Sequence, residues 1–403
     1  MSTAQPNKIG VVTATIIGMN AMIGAGIFAA PSVIAAYVGP AGILAYVIVV
    51  FSVWLMALSL ARLAQLYPQP GSFYTYASQW SGHIGGIIAC SAYFIGLLIA
   101  MGLLAQMAGH HLQPFFPSYS ADALGLISLF TLVALNMFGV VMSELGQQIL
   151  IACTVFPLVV TTIMCFTKAH WNYLTPFAPH GFTNVFKATR IVIFGFFGFE
   201  CATSLFSIVE NPARNVPRAL TYSIAIVGVL YILFITSIIV STPLHYFTSP
   251  YVLLPDILRI TFPSSNWVIV AVHVSTLSAI LGTIHSMIWG SSSLLIELLK
   301  RVQNTTTQTL LASGRINQRT AVLFVGVCIL LSYLMLKNPD LFFYLTAAFI
   351  IVAFILSMIT LLTIPDEWKS GRNITTLCGI TTALVIFMFA VEGLVQELNK
   401  VIG

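Results

Sequence analysis

Charge is what this sequence has least of. Asp, Glu, Lys and Arg make up 7% of its 403 residues, against about 25% in an ordinary soluble protein. So few charges could not cover the water-facing surface of a chain this long, which excludes a set of soluble domains. Cysteine patterning is missing too. The six cysteines (90, 153, 165, 201, 328 and 378) are scattered through or beside apolar runs, giving neither a disulfide framework nor a zinc spacing. No metal ligand set and no cofactor motif is expected. Nor does the net charge of +5 argue for nucleic acid, since it serves orientation in a bilayer. The polar start, residues 1–8, leads straight into an apolar segment, so no cleavable signal is expected.

What the chain has in abundance is apolar length. Hydrophobic residues make up 58% and recur in stretches of roughly 20, enough to cross a bilayer. The composition predicts an all-α polytopic membrane protein, one transmembrane unit from 1 to 403. Proline and polar clusters divide it into eleven candidate spans. These run near 9–37, 41–66, 84–109, 122–142, 147–167, 188–209, 218–242, 265–298, 319–336, 340–363 and 373–395. The stretch 243–264, with Pro243, Pro250, Pro255 and Pro263, reads as a partly helical external loop, and 67–83 as an interfacial connection. With the N-terminus in the cytoplasm, ten Lys and Arg fall on the cytoplasmic side and six on the other. That is the sense of the positive-inside rule. An odd number of spans then places the C-terminus outside.

Two spans are interrupted. The first contains Gly24-Ala25-Gly26 with Pro31 close behind, and the sixth contains Gly195-Phe196-Phe197-Gly198 followed by Glu200. Each glycine costs a helix interior about 1 kcal/mol relative to alanine. The two interruptions also hold equivalent places in successive groups of five spans, the pattern of a transporter site built on inverted repeats. Backbone groups freed in a bilayer must line a cavity or meet a ligand. Half-helix N-termini attract a carboxylate, and freed carbonyls accept from an ammonium. A plainer alternative is close helix packing through small residues, but symmetric placement favours the site.

Four segments resemble a known family. Ile23-Gly24-Ala25-Gly26-Ile27-Phe28, with Pro31, is similar to the first-span signature of the amino acid–polyamine–organocation transporters. Pro68-Gln69-Pro70-Gly71-Ser72-Phe73-Tyr74-Thr75-Tyr76, then Gly82 and Gly86, resembles their connection between spans 2 and 3. Phe194 to Glu200 resembles their broken sixth span, and Glu210-Asn211-Pro212-Ala213-Arg214-Asn215-Val216-Pro217-Arg218-Ala219 the cytoplasmic sequence after it. The resemblance is nearest to the bacterial basic amino acid and polyamine antiporters. It implies two inverted five-helix repeats in a LeuT-like fold, here about 9–167 and 188–363, with helices 1 and 6 broken and one additional span near 373–395. Relatives usually have twelve spans, and their homodimer contact often lies on spans 11 and 12, so with eleven spans a homodimer stays open rather than implied. The implied activity is secondary active transport of an amino acid or polyamine across the bacterial inner membrane, by exchange or proton coupling. The partners are then a small-molecule amine or amino acid and the lipid bilayer.

The resemblance also assigns residues. The N–H groups of Ala25, Gly26 and Ile27 should hold a carboxylate, and the carbonyls of Met22, Phe194 and Phe197 an α-ammonium. Phe194 falls where relatives place an aromatic that closes over the ligand, and Tyr93 where they place a pocket tyrosine. Glu200, an acidic residue well inside a span, carries a cost of at least about 2.5–3.5 kcal/mol when charged there. It reads as a coupling or gating group. His285 lies near a pocket tryptophan position, with a satisfied core histidine as the alternative; His273 reads as structural. No lysine occupies span 5 around Thr154-Val155, where some relatives carry one in place of sodium. Sodium near Ser278, Thr283 and Ser286 therefore stays open as an alternative to exchange. A non-transporting sensor on the same fold is a second reading. A membrane enzyme would need convergent intramembrane His, Asp or Cys, which the spacing does not offer.

Overall fold

The computed structural model describes residues 9–402 apart from 25, 68–71, 140–143, 201–208, 248–252 and 303. Among the described residues the chain is helical, with no strand beyond a single bridge pairing Ile9 with Val209. Helices α1 (Val11–Met22) and α2 (Gly26–Val38) replace the first expected span, so the interruption at Gly24 is a true break. A short turn, Gly39–Ala41, leads to α3 (Gly42–Leu66). Helix α4 (Ser72–Leu112) bends at Gly82, where φ is +69° and ψ −167°, so its first ten residues form the interfacial connection and the rest a span.

Helices α5 (Ala121–Met137) and α6 (Glu144–Thr167) follow. The sixth expected span begins as α7 (Thr183–Val192) and passes into a tight turn, Ile193–Phe196. Its second half lies outside the described residues. Next come α8 (Pro212–Ser241), the short α9 (Leu254–Thr261) in the expected external loop, and α10 (Asn266–Arg301). A small α11 (Thr305–Ala312) precedes α12 (Gln318–Met335), α13 (Pro339–Leu362), the short α14 (Pro365–Lys369) and α15 (Asn373–Ile402).

Polar residues at the sequence interruptions start these helices. The Asn317 side chain accepts from the N–H groups of Arg319 and Thr320, and Thr320 accepts in return from the Asn317 N–H. Asn338 caps α13 at Asp340, with Pro339 in the first-turn position that needs no N–H. Seven stretches among the described residues are long and apolar enough to cross a membrane, and three shorter apolar helices accompany them. One of the seven, Gly26–Leu66, has 41 residues. At 1.5 Å per residue that is about twice the hydrocarbon thickness. The positive φ at Gly39 divides it into α2 and α3. Phe51, Ile84, Phe156 and Met335 are exposed, as a lipid-facing surface requires.

Helix α13 lies along α4 and α15, α8 packs against α1, α3 and α6, and α10 against α4, α6 and α12. Polar ties close both ends. At one end Arg62 donates from Nε and Nη2 to Glu367 Oε1 at 2.8 and 2.7 Å, and Gln65 donates to the Ala213 carbonyl at 2.7 Å. At the other, Tyr37 donates to Asp340 at 2.7 Å, Lys187 pairs with Glu392 at 2.7 Å, and Asn338 donates to Glu397 at 2.9 Å. Arg190, which hydropathy assigns to topology, is buried. Its guanidinium stacks over Tyr344 and donates to the Phe389 carbonyl at 2.8 Å. Helix α15 is thereby strapped to α7 and α13.

Glu367 is 1% exposed while Arg62 keeps water contact. Replacing Glu367 with Ala removes both charge-assisted bonds and is expected to cost about 1.5–3 kcal/mol. Thermal unfolding in detergent should show a melting point several degrees lower, and an unchanged value would mean the pair contributes nothing.

Candidate functional site

The site is built from backbone. Helix α1 stops at Met22 because Ile23 leaves helical geometry, with ψ at +75°. The Met22 carbonyl then accepts from the Gly24 N–H at 2.7 Å and from the Tyr231 hydroxyl at 3.0 Å. On the far side of the break α2 begins at Gly26, and its first-turn N–H groups have no partner within the helix. Pro31 lacks an N–H, so the Ile27 carbonyl also loses its helical donor. Ala25 lies outside the described residues.

The second interruption mirrors the first. After the turn at Ile193–Phe196, Phe197 is extended and Gly198 adopts φ +109°. A Cβ on Gly198 would sit 2.2 Å from the Ala21 carbonyl oxygen, and one on Gly26 would sit 2.6 Å from Gly195 Cα. The two breaks therefore touch through glycines. Any side chain at either contact forces them apart.

A cavity opens where they meet. Met22, Gly26, Phe194 and Phe197 contribute to its wall, so four of the expected positions are together, with Gly24 of the first break beside them. With the space open to solvent counted in, it measures about 380 Å³. Ala21 of α1 joins them, and the rest of the wall comes from α4, α10 and α13, at positions that, Thr283 apart, sequence reading did not single out. Leu97, Ala100 and Leu104 form one face of α4, Met287 comes from α10 and Ile350 from α13. Thr283 supplies the hydroxyl, and a Cβ on Gly24 would meet it at 2.9 Å. Phe194 sets its ring edge-on to Phe343 at 5.0 Å, and Phe197 meets Phe354 at 6.3 Å. Ile27 is not in the wall; its side chain is buried in the core.

Tyr93 and Glu200 are paired. Tyr93 lies one helical turn before Leu97 and donates to Glu200 Oε1 at 2.7 Å, while the Gly198 N–H donates to Oε2 at 3.0 Å. The carboxyl is 3% exposed. Phe73 stacks on Tyr93 at 4.3 Å and on Phe354 at 5.7 Å, and Phe199 meets Phe354 at 5.2 Å. Phe354 in turn meets Phe197 of the cavity wall. As a carboxylate Glu200 accepts from both partners; a proton on either oxygen turns that oxygen into a donor. Protonation would thus disturb a bond to α4 or one to the break itself.

His285 stands apart. Thr283 and Met287 line the cavity, and a residue midway between them on a helix projects from the opposite face. Its Nδ1 lies 3.0 Å from the amide nitrogen of Asn136 on α5, which also donates to the Leu132 carbonyl. His273 lies 3.2 Å from His111, both buried. No group of three or more His, Cys, Asp or Glu among the described residues could hold a metal. Of the hydroxyls considered for sodium, Thr283 alone reaches the wall, and Ser286 is exposed.

The chemistry of the wall is selective. A buried, unpaired ammonium costs several kcal/mol, more than the roughly 2 kcal/mol a desolvated cation–π contact returns. Backbone dipoles, by contrast, can hold both charges of a zwitterion at once.

The amino acid permease profile matches residues 13–394. The chain is 27% identical over 248 residues to the branched-chain amino acid permease BcaP of Bacillus subtilis, covering 56% of this chain and 53% of that protein. It is 28% identical over 263 residues to the putrescine transporter PotE of Escherichia coli, covering 62% and 60%. An uncharacterized transporter of Mycobacterium tuberculosis is 25% identical over 287 residues, 71% of this chain and 64% of its own. The chain thus spans between half and two thirds of the length of these relatives.

The glycine contact between the breaks is separable from helix propensity. Gly198→Ala forces a side chain into a rarely allowed conformation and against Ala21, and is expected to cost about 1–3 kcal/mol. Gly290→Ala on α10 has nothing within 4 Å of the new methyl and should leave the melting temperature unchanged or raised. Equal melting of the two variants would contradict a tight contact at Gly198.

Proposed function

The chain belongs to the amino acid permease family, and from that membership we propose that it is a secondary active transporter moving an amino acid or amine by alternating access. The observation that carries this reading is the cavity at the contact between two helix breaks. The N–H groups of Gly26 and Ile27, with Ala25, hold the substrate carboxylate. Carbonyls at Phe194 and Phe197 hold the ammonium; that of Met22 joins them by exchanging one of its present donors. Recognition through backbone reads what all amino acids share and leaves side-chain choice to the surrounding wall.

The architecture behind this proposal is two inverted five-helix repeats, about 9–167 and 188–363, with α15 as an eleventh span. Each repeat would open with its broken helix. The membrane is the bacterial inner membrane, with the N-terminus and the Arg62–Glu367 end cytoplasmic. Transport proceeds by exchange or with a proton. Glu200 is the coupling group, because its two donors connect α4 to the second break. His285 packs away from the cavity and has a supporting role.

Two measurements test this. Purified protein in proteoliposomes should take up labelled substrate faster when unlabelled amino acid is inside; uptake should depend on pH, and Glu200→Gln should flatten that dependence while His285→Asn keeps it. A Glu200→Gln protein with the parent's full pH response would refute the coupling role. A tag after Lys400 should be reached from outside intact cells and a tag at residues 304–317 only after permeabilisation. Both tags on one side would refute the span count.

A further inference from the structure

Resting on the transport reading, we infer that the substrate is a zwitterionic α-amino acid with a compact, uncharged side chain, aliphatic or thioether, rather than a diamine or dibasic amino acid. Beyond the backbone of the two breaks and the rings of Phe194 and Phe197, the wall of the cavity offers methyl, methylene and thioether groups. Leu97, Ala100 and Leu104 present them from α4, and Met287 and Ile350 face them from α10 and α13. Thr283 adds a hydroxyl, and among the described residues no ionisable side chain reaches the wall.

A second positive charge would need a carboxylate, and those described lie elsewhere. Glu200 is not in the wall and is bonded to Tyr93 and to the Gly198 N–H. Asp340, Glu392 and Glu397 belong to the ties at one end of the bundle, and Glu367 to those at the other. The carbonyls of the breaks serve one ammonium, and that of Met22 already takes two donors. A second ammonium would therefore leave water for an apolar wall without a counter-charge. A ligand lacking a carboxylate would also forfeit the N-terminal end of α2.

The same wall limits size. Leu97, Ala100 and Leu104 recur at three- and four-residue spacing, which sets them on one helical face opposite Met287, a flexible side chain able to follow branched or unbranched ligands. Leucine, isoleucine, valine and methionine match that surface.

Competition in proteoliposomes of the full chain decides the matter. Vesicles are preloaded with a mixture of unlabelled amino acids and putrescine, and uptake of labelled leucine and of labelled putrescine is measured separately. Leucine, isoleucine, valine and methionine should inhibit leucine uptake at concentrations at least about tenfold lower than arginine, ornithine or putrescine. Isoamylamine, which is leucine without its carboxylate, should compete at least about tenfold less well than leucine. Putrescine or a dibasic amino acid entering or competing as well as leucine would overturn the inference while leaving transport intact. Absence of uptake for every labelled amino acid and amine would overturn the transport reading and this inference with it.

Discussion

The structure depends on the direct contact of two helix breaks. In a bilayer an interrupted helix exposes N–H and C=O groups that lipid cannot satisfy. Here each interruption is closed partly by the other. Gly198 approaches the Ala21 carbonyl and Gly26 approaches Gly195, both closer than any Cβ would allow. Tyr231 supplies a hydroxyl to the Met22 carbonyl and Glu200 accepts from the Gly198 N–H. The cavity lined by Met22, Gly26, Phe194 and Phe197 lies at that contact. The cavity is therefore a consequence of the contact, and a change at either glycine alters both.

Around that contact the molecule divides its polar groups by role. The bundle ends carry ion pairs and caps that join separate helices, Arg62 to Glu367 at one end and Tyr37 to Asp340 at the other. Between them Glu200 bonds a tyrosine of α4 and the backbone of the second break, under a layer of stacked rings. One proton added there is enough to disturb one of these hydrogen bonds without breaking either end. The end ties hold α15 to α7 and α13, so the last helix braces the half of the broken span that leads into the cavity.

Much of this was legible from residue order. Paired glycines with Pro31 and Glu200 at matching places marked both breaks, and helix periodicity with polar interruptions marked most helix ends. Tyr93 was singled out on family position, and its partner proved to be Glu200. The walls were not legible. In a chain with 58% hydrophobic residues, the stripe Leu97, Ala100 and Leu104 has the same pattern as a lipid-facing one such as Phe51 or Ile84. His285 was misleading for a geometric reason: a shift of two positions on a helix reverses the face, so Thr283 and Met287 meet the cavity and His285 meets Asn136. Buried Arg190 and Glu367 were hidden because hydropathy assigns charges to connections, whereas their partners come from helices far away in sequence.

The central claim is that the two breaks hold the common part of an amino acid with backbone groups. An experimental structure of the protein with leucine bound tests it most directly. The account predicts the ligand between Phe194 and Phe197, its carboxylate within hydrogen-bond distance of the Gly26 and Ile27 amides and its ammonium on the carbonyls of the second break. Leucine found away from both breaks, or held there by side chains with its carboxylate turned from α2, would contradict it.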